Sequence, residues 1–334
     1  MMEKMKLQRF CFSLLSIFLL SCSAGKSNGL VSKEPIKYDI VVDAKGSGNF
    51  LTVQEAINSV PLLTQKEIRI YIKNGVYKEK IEVPKDKINI TLIGEDKTKT
   101  ILTYDDFASK KGARGLGIGT AGSYSFAITG DSFKAINITF ENSAGAVGQA
   151  VAVRIDGDKV FFDNCIFKGF QDTIYTRSDN SRQYYKNCYI EGATDFIFGA
   201  STVLFECCEI FSKKGGYYIT AASTTINRPY GYVFMNCKLT GNADKGTVYL
   251  GRPWRNDAKT VFIKCEMGEH INPLGWHNWN KPEAEAATFY AEYKSSGKGA
   301  SHSSRVKWSH TLTDAEVSDY TIEKILNGWN PIQK

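Results

Sequence analysis

The residues whose types and spacing could do chemistry are two glutamines and two aspartates: Gln149, Gln171, Asp172 and Asp195. They are set by a recurring segment, seen as Phe140-Glu-Asn-Ser143, Phe162-Asp-Asn-Cys165, Tyr185-Lys-Asn-Cys188, Phe205-Glu-Cys-Cys208, Phe234-Met-Asn-Cys237 and Phe262-Ile-Lys-Cys265. Gln149 stands seven residues beyond Asn142 and Gln171 seven beyond Asn164. Asp172 stands seven beyond Cys165 and Asp195 seven beyond Cys188. Equivalent positions on stacked strands lie about 4.8 Å apart, so this register sets two carboxylates side by side next to two primary amides. A nucleophile, a general acid/base and donors for a developing oxyanion need those groups. A polar ladder with a structural role would use the same residues, and the spacing alone does not separate the two readings.

The elements that must position these groups follow from the same repeat. The fourth positions of the segments are separated by 22, 23, 20, 29 and 28 residues. Units this short cannot bury a core alone and must stack on one another. No helical segment separates them, as a leucine-rich or ankyrin array requires, and propeller blades need about 40 residues or more. The expected architecture is therefore all-β, a parallel β-helix. Cys165, Cys188, Cys208, Cys237 and Cys265 share one register and should form an internal stack of small side chains. They lack Cys-x-x-Cys spacing or a histidine partner, so free buried thiols are favoured over metal ligation. A Cys188–Cys208 disulfide stays open, since neighbouring coils fall within the ~4.4–6.8 Å Cα range of a bridge.

Outside the repeat, Thr52 to Val60 reads as a short amphipathic capping helix with Val53, Ala56, Ile57 and Val60 on one face and Pro61 after it. After about Asn280 the repeat stops, and Thr313 to Asn327 is expected to form a helical tail on the outside or end of the solenoid, with Val317, Tyr320, Ile325 and Leu326 as its apolar positions. At the other end, Lys4, Lys6 and Arg9 precede an apolar run from Phe10 to Leu20, too short to span a bilayer. The run closes on Leu19-Leu20-Ser21-Cys22, which is similar to a bacterial lipobox. The expected division is a lipoprotein signal over 1–21, a flexible tether over 22–37 that begins at a lipidated Cys22, and one domain over 38–334. Such a protein is exported and held on the cell envelope, touching the outer membrane only through its lipid.

Of 334 residues, 43% are apolar and 23% charged, an ordinary globular balance. Removing residues 1–21 takes away three basic residues and one acidic residue, so 42 − 3 = 39 Lys+Arg face 35 − 1 = 34 Asp+Glu and the net charge falls from +7 to +5. A modest positive charge suits an anionic polymer, and the export signal argues against nucleic acid. Gly117-Ile-Gly-Thr-Ala-Gly122 matches a dinucleotide fingerprint as a string, but Ser125 to Thr129 alternates like a strand where that motif must open a helix. Gly130-Asp-Ser132 has no Asp-x-x-His partner near the C-terminus. His270, His277, His302 and His310 all fall in the last fifth of the chain without metal spacing.

From about Tyr38 to Pro331 the chain resembles the pectin methylesterase (pectinesterase) family. The matching segments are Gly75-Val-Tyr-Lys-Glu79, Gln149-Ala-Val-Ala152, Gln171-Asp-Thr173, Asp195-Phe-Ile-Phe-Gly199 and Leu250-Gly-Arg-Pro-Trp254, together with Gly275-Trp276, Phe289-Tyr-Ala-Glu-Tyr293 and Trp329-Asn-Pro331. The resemblance implies a right-handed β-helix that hydrolyses the methyl esters of pectin (methyl-esterified homogalacturonan) to pectate and methanol through an aspartyl acyl-enzyme. A solenoid with capped ends and a helical tail suggests a monomer, and a site of carboxylates, amides and a guanidinium, with no set of metal ligands, suggests no metal or other cofactor. The resemblance implies Asp195 as nucleophile, Asp172 as acid and then base, Gln149 and Gln171 as oxyanion donors, and Arg252 as the cation that orients Asp195. It also points to Tyr175, Phe198, Trp254 and Trp276 as cleft-lining aromatics and Thr120 as a substrate-binding residue. Tyr124 and Ser125 depart from the family's frequent Ala-Thr at that turn. A pectin lyase would need a calcium-binding carboxylate cluster, and a polygalacturonase aspartates spaced to admit water; neither pattern is apparent. A catalytically silent pectin-binding module is the alternative from another class.

Overall fold

The computed structural model describes residues 37–113 and 115–333. The expected signal, Cys22 and the tether up to residue 36 lie outside them. The described chain is wound as a right-handed parallel β-helix whose three sheets have eleven, eight and seven strands. Each coil contributes one short strand to each sheet. Val160–Asp163, Ile166–Lys168 and Ile174–Thr176 make one coil, and Arg182–Lys186, Tyr189–Gly192 and Thr194–Gly199 stack on it in parallel.

The repeat's first, third and fourth positions each have a physical reason. The first-position aromatics point inward and stack: ring centroids are 4.8 Å apart for Phe162–Tyr185 and Tyr185–Phe205, and 4.4 Å for Phe205–Phe234 and Phe234–Phe262. The third position is a bend with left-handed backbone, with φ of 53° at Asn164 and Asn187, 51° at Cys207, 53° at Asn236 and 51° at Lys264. Asparagine is among the few side chains that visit this region readily, which accounts for the recurring Asn. At the fourth position every thiol lies against a carbonyl of the preceding coil: Cys165 Sγ is 3.4 Å from Ala135 O, Cys188 Sγ 3.7 Å from Phe162 O, Cys208 Sγ 3.4 Å from Tyr185 O, Cys237 Sγ 3.4 Å from Phe205 O and Cys265 Sγ 3.6 Å from Phe234 O. The disulfide left open for Cys188 and Cys208 is not formed; both are free and buried. Burial pushes the Cys165, Cys208 and Cys265 thiols up, away from reactivity.

One segment of the expected repeat is out of register. Phe140 pairs with Phe167, whereas Ala135 pairs with Phe162 and Ile136 with Asp163. The unit equivalent to Phe162–Cys165 is thus Ala135-Ile136-Asn137-Ile138, with Asn137 at the left-handed bend (φ 57°). Asn142 belongs one strand later. Its buried amide nitrogen lies 2.9 Å from Asp106 O, 3.0 Å from Ser123 O and 3.0 Å from Val151 O, tying three segments together. The pairing of Gln149 with Gln171 survives. The turn before Gln149 is five residues longer (149 − 141 = 8 against 171 − 168 = 3, counted from the paired Glu141 and Lys168), and this insertion offsets the shifted start.

The helix Val53–Ser59 forms as expected, capped by Thr52, whose hydroxyl accepts from Glu55 N–H, and it buries Val53, Ala56 and Ile57. The tail differs. Two single-turn helices, Asp314–Val317 and Ile322–Ile325, replace one continuous helix, because Thr321 is extended and starts a second N-cap. The tail still lies on the outer face of the eleven-stranded sheet, where Ile325 and Leu326 pack with Phe161, Tyr184, Leu204 and Val233, and Val317 and Tyr320 rest against that cluster.

Candidate active site

The seven-stranded sheet carries the candidate groups. Ile174 pairs with Ile197, so Asp172 and Asp195, each two residues upstream, hold equivalent places on adjacent coils. Both enter the strand through left-handed backbone, with φ of 67° at Asp172 and 49° at Asp195. Sparsely populated backbone of this kind persists where the surroundings fix it and clusters at functional sites. Both carboxyls are buried, at 7% and 5% exposure.

Their partners differ. Arg252 follows the strand Tyr249–Gly251, two coils beyond Asp195, and grips it with both prongs of its guanidinium: Nε donates to Oδ1 at 2.9 Å and Nη2 to Oδ2 at 2.6 Å. Close packing brings that strand near, since a Cβ on Gly251 would stand 2.1 Å from Thr220 Oγ1. The guanidinium is itself held over two aromatic faces, 3.7 Å from the Trp279 centroid and 3.9 Å from that of Tyr218. Asp172 makes no side-chain hydrogen bond among the described residues. Burial and then the Asp195 charge push its pKa well above the usual carboxylate range, against a smaller lowering by Arg252. Burial also raises Asp195, but the hydrogen bond and the charge of Arg252 oppose it. Both carboxyls are shifted upward, but Arg252 opposes the shift mainly at Asp195, so of two like groups Asp195 is the more easily ionised and Asp172 the more readily protonated.

Around them lies a cavity of about 600 Å3 lined by Gln149, Gln171, Asp172, Asp195, Arg252, Thr120, Ala121, Tyr175, Phe198, Ala221, Trp254 and Trp279. Neither glutamine carboxamide bonds to another described residue, so both amides face the cavity free to donate. Tyr175 and Phe198 stack at 4.3 Å with 12° between their planes, and Trp254, 37% exposed, leans over them at 6.1 and 5.8 Å. A flat aromatic shelf beside paired carboxyls suits a pyranose ring. A second groove of about 670 Å3 is lined by Lys238, His270 and two glutamates, Glu266 and Glu269, but both glutamates are exposed and no phenylalanine, tyrosine or tryptophan walls it.

Of the ten expected catalytic and substrate-binding residues the cavity brings together all but one, and Cys22 lies outside the described residues. Trp276 is 1% exposed and stacks on Tyr290 at 4.3 Å inside the core. Its bridge with Gly251 puts it in register with inward-facing positions, which corrects its assignment to the cleft. Trp279 lines the cleft instead, reached through a left-handed bend (φ 59°) that turns the chain outward. The sequence signal available was the second tryptophan three residues on, but nothing in the local pattern showed which of the two faces inward. Ala121, Ala221 and Tyr218 were also not anticipated.

A parallel β-helix with a buried carboxylate pair, free amides and an aromatic shelf defines a carbohydrate-active hydrolase built on a solenoid. A sequence profile described as Pectinesterase matches residues 39–329, and the chain belongs to the pectinesterase family. It is 42% identical over 284 residues to "Pectinesterase 31" of Arabidopsis thaliana, covering 84% of this chain and 89% of that one. Among solved structures it is similar to pectin methylesterase from carrot, with a TM-score of 0.82 and 34% identity over 88% of this chain and 95% of the other. It is also similar to a pectin methylesterase solved in complex with a hexasaccharide, with a TM-score of 0.78 and 30% identity over 90% and 100% of the two chains.

Proposed function

We propose that this protein hydrolyses the methyl esters of pectin through a covalent intermediate on Asp195. The observation that carries the reading is the bidentate Arg252 grip on Asp195 beside an unpartnered Asp172 whose pKa is driven up. The Asp195 carboxylate attacks the ester carbonyl, and the Gln149 and Gln171 amides donate to the oxyanion that forms. The intermediate collapses as Asp172 passes its proton to the departing methoxy oxygen, which leaves as methanol. Asp172, now ionised, takes a proton from water as that water attacks the acyl carbon. The second collapse releases the galacturonate carboxyl and returns Asp195 as a carboxylate and Asp172 as an acid. Family membership and the likeness to a hexasaccharide complex support a polymeric galacturonate ester as substrate.

The test is methanol release from highly methylated pectin, which the wild type should show and Asp195→Ala should not. A wild type that binds the polymer and frees no methanol would leave a silent binding module as the better reading. Activity should also survive exhaustive chelation, since the groups assigned to the reaction are carboxyls, amides and a guanidinium. The reading extends to an exported, monomeric enzyme held by a lipid on Cys22. Cys22→Ser should then leave activity intact and shift the protein out of the membrane fraction; a wild type found soluble and unlipidated in its host would remove the tether.

A further inference from the structure

The single helical turn Thr120–Gly122 forms part of the cleft wall through Thr120 and Ala121. It is entered through Gly119 at φ 71°, and Ser123 closes it by donating its N–H and hydroxyl to Thr120 O at 3.1 and 2.8 Å. The Thr120 hydroxyl bonds to no described residue, so it is free for a ligand. Two cations hold the turn from behind. Arg154 Nη1 donates to Ala121 O at 2.8 Å and Lys80 Nζ to Gly122 O at 2.6 Å. Both also lie over the ring of Tyr124, at 4.8 and 4.7 Å from its centroid, and the Tyr124 hydroxyl donates to the Glu82 carboxylate.

We propose that Tyr124, with Arg154 and Lys80, is a positioning residue for the substrate-binding wall of the cleft. Two like charges that converge on adjacent carbonyls repel each other, and the negative face of the ring supplies both with a common seat. Asp106 and Asp156 complete the set: Lys80 pairs with Asp106, and Arg154 Nε donates to Asp156 at 2.9 Å. The other oxygen of Asp156 accepts from Arg177 at 2.5 Å, so the network runs from the turn to the end of the strand that bears Tyr175. An alanine at position 124 could not seat the cations. The device therefore sets how Thr120 and Ala121 meet a sugar unit, without touching the reacting atoms. The inference rests on the pectin-esterase reading above.

KM and kcat for methanol release, and Kd for a methyl-esterified hexagalacturonide, should be measured on four variants. Tyr124→Ala removes both cation–ring contacts and should raise KM and Kd about fivefold, roughly half of their summed worth being felt at the cleft wall, with kcat within about twofold. Tyr124→Phe keeps the ring and should restore both constants. Arg154→Met, which removes the grip on Ala121 while leaving the ring, should raise KM and Kd to a similar extent even if Tyr124→Ala fails to fold. Adding Thr120→Ala to Tyr124→Ala should cost nothing further, because the two act through one contact. Unchanged KM and Kd with only a lowered Tm, or additive effects in the double variant, would overturn the positioning role. A wild type that binds the hexamer but releases no methanol would sink the esterase reading instead, and Kd alone would then decide the positioning role.

Discussion

Two corners on neighbouring coils are built alike and behave in opposite ways. At one, Asn137 and Asn164 sit on adjacent coils in left-handed backbone, and the Asn164 amide donates to the Asn137 oxygen at 2.7 Å. At the other, Asp172 and Asp195 also sit on adjacent coils in left-handed backbone, but no hydrogen bond joins their side chains. A carboxamide offers a donor and an acceptor, so Asn164 can donate to the asparagine stacked below it while its own oxygen accepts from Lys97. Ionised carboxylates only accept and repel, so the second corner resists ionising twice: Arg252 stabilises the charge on Asp195, while burial and that charge favour the protonated form of Asp172. Whether a polar ladder is structural or reactive is decided by what the side chains can exchange with their neighbours, even where the backbone is the same.

The comparison is broken most severely by making the reactive corner like the inert one. Asp195→Asn should lower kcat by on the order of 10⁴ or more, since the nucleophile is lost, as read by methanol release. Trp276→Ala removes a ring from the core and should cost about 3–5 kcal/mol of stability while KM stays near the wild-type value, measured by urea unfolding and steady-state kinetics. Trp254→Ala, at the cleft, should do the reverse. Gln171→Ala should lower kcat roughly 10²-fold with little change in KM, the loss expected for one oxyanion donor. Asn164→Ala should leave methanol release alone and cost about 1–3 kcal/mol, from its two part-buried hydrogen bonds, with Asn137 and Lys97, and a left-handed backbone that alanine resists.

Much of this was legible in the chain because a stack copies its register. The aromatic and cysteine positions fix which residues face inward, and the offset of seven from Cys165 and Cys188 carries over to Asp172 and Asp195. Where a turn changes length, the register is lost to a reader of sequence: Phe140–Ser143 looks like a repeat unit but lies one strand late, behind a longer turn. Trp276 and Trp279 could not be told apart because both follow the last regular coil, where a left-handed bend and not a period decides which faces out. The role of Tyr124 depends on Lys80 and Arg154, distant in sequence, meeting over one ring.

The central claim is that Asp172 is held as a buried acid by its neighbours, and Asp172→Asn tests it most directly. A carboxyl whose pKa is raised on folding contributes its stability below the unfolded value of about 3.9 and loses it as pH rises through the folded value. At neutral pH the wild type therefore carries the cost of that group, and the amide does not. Asp172→Asn should have a Tm at pH 7 equal to or above that of the wild type, with the advantage shrinking as pH falls toward 4. It should retain well under a tenth of wild-type methanol release, because an amide cannot shuttle the proton. Asp195→Asn, which strands Arg252, should gain less stability or none. A variant at position 172 that kept a tenth or more of turnover, or that lost stability at pH 7, would contradict the account.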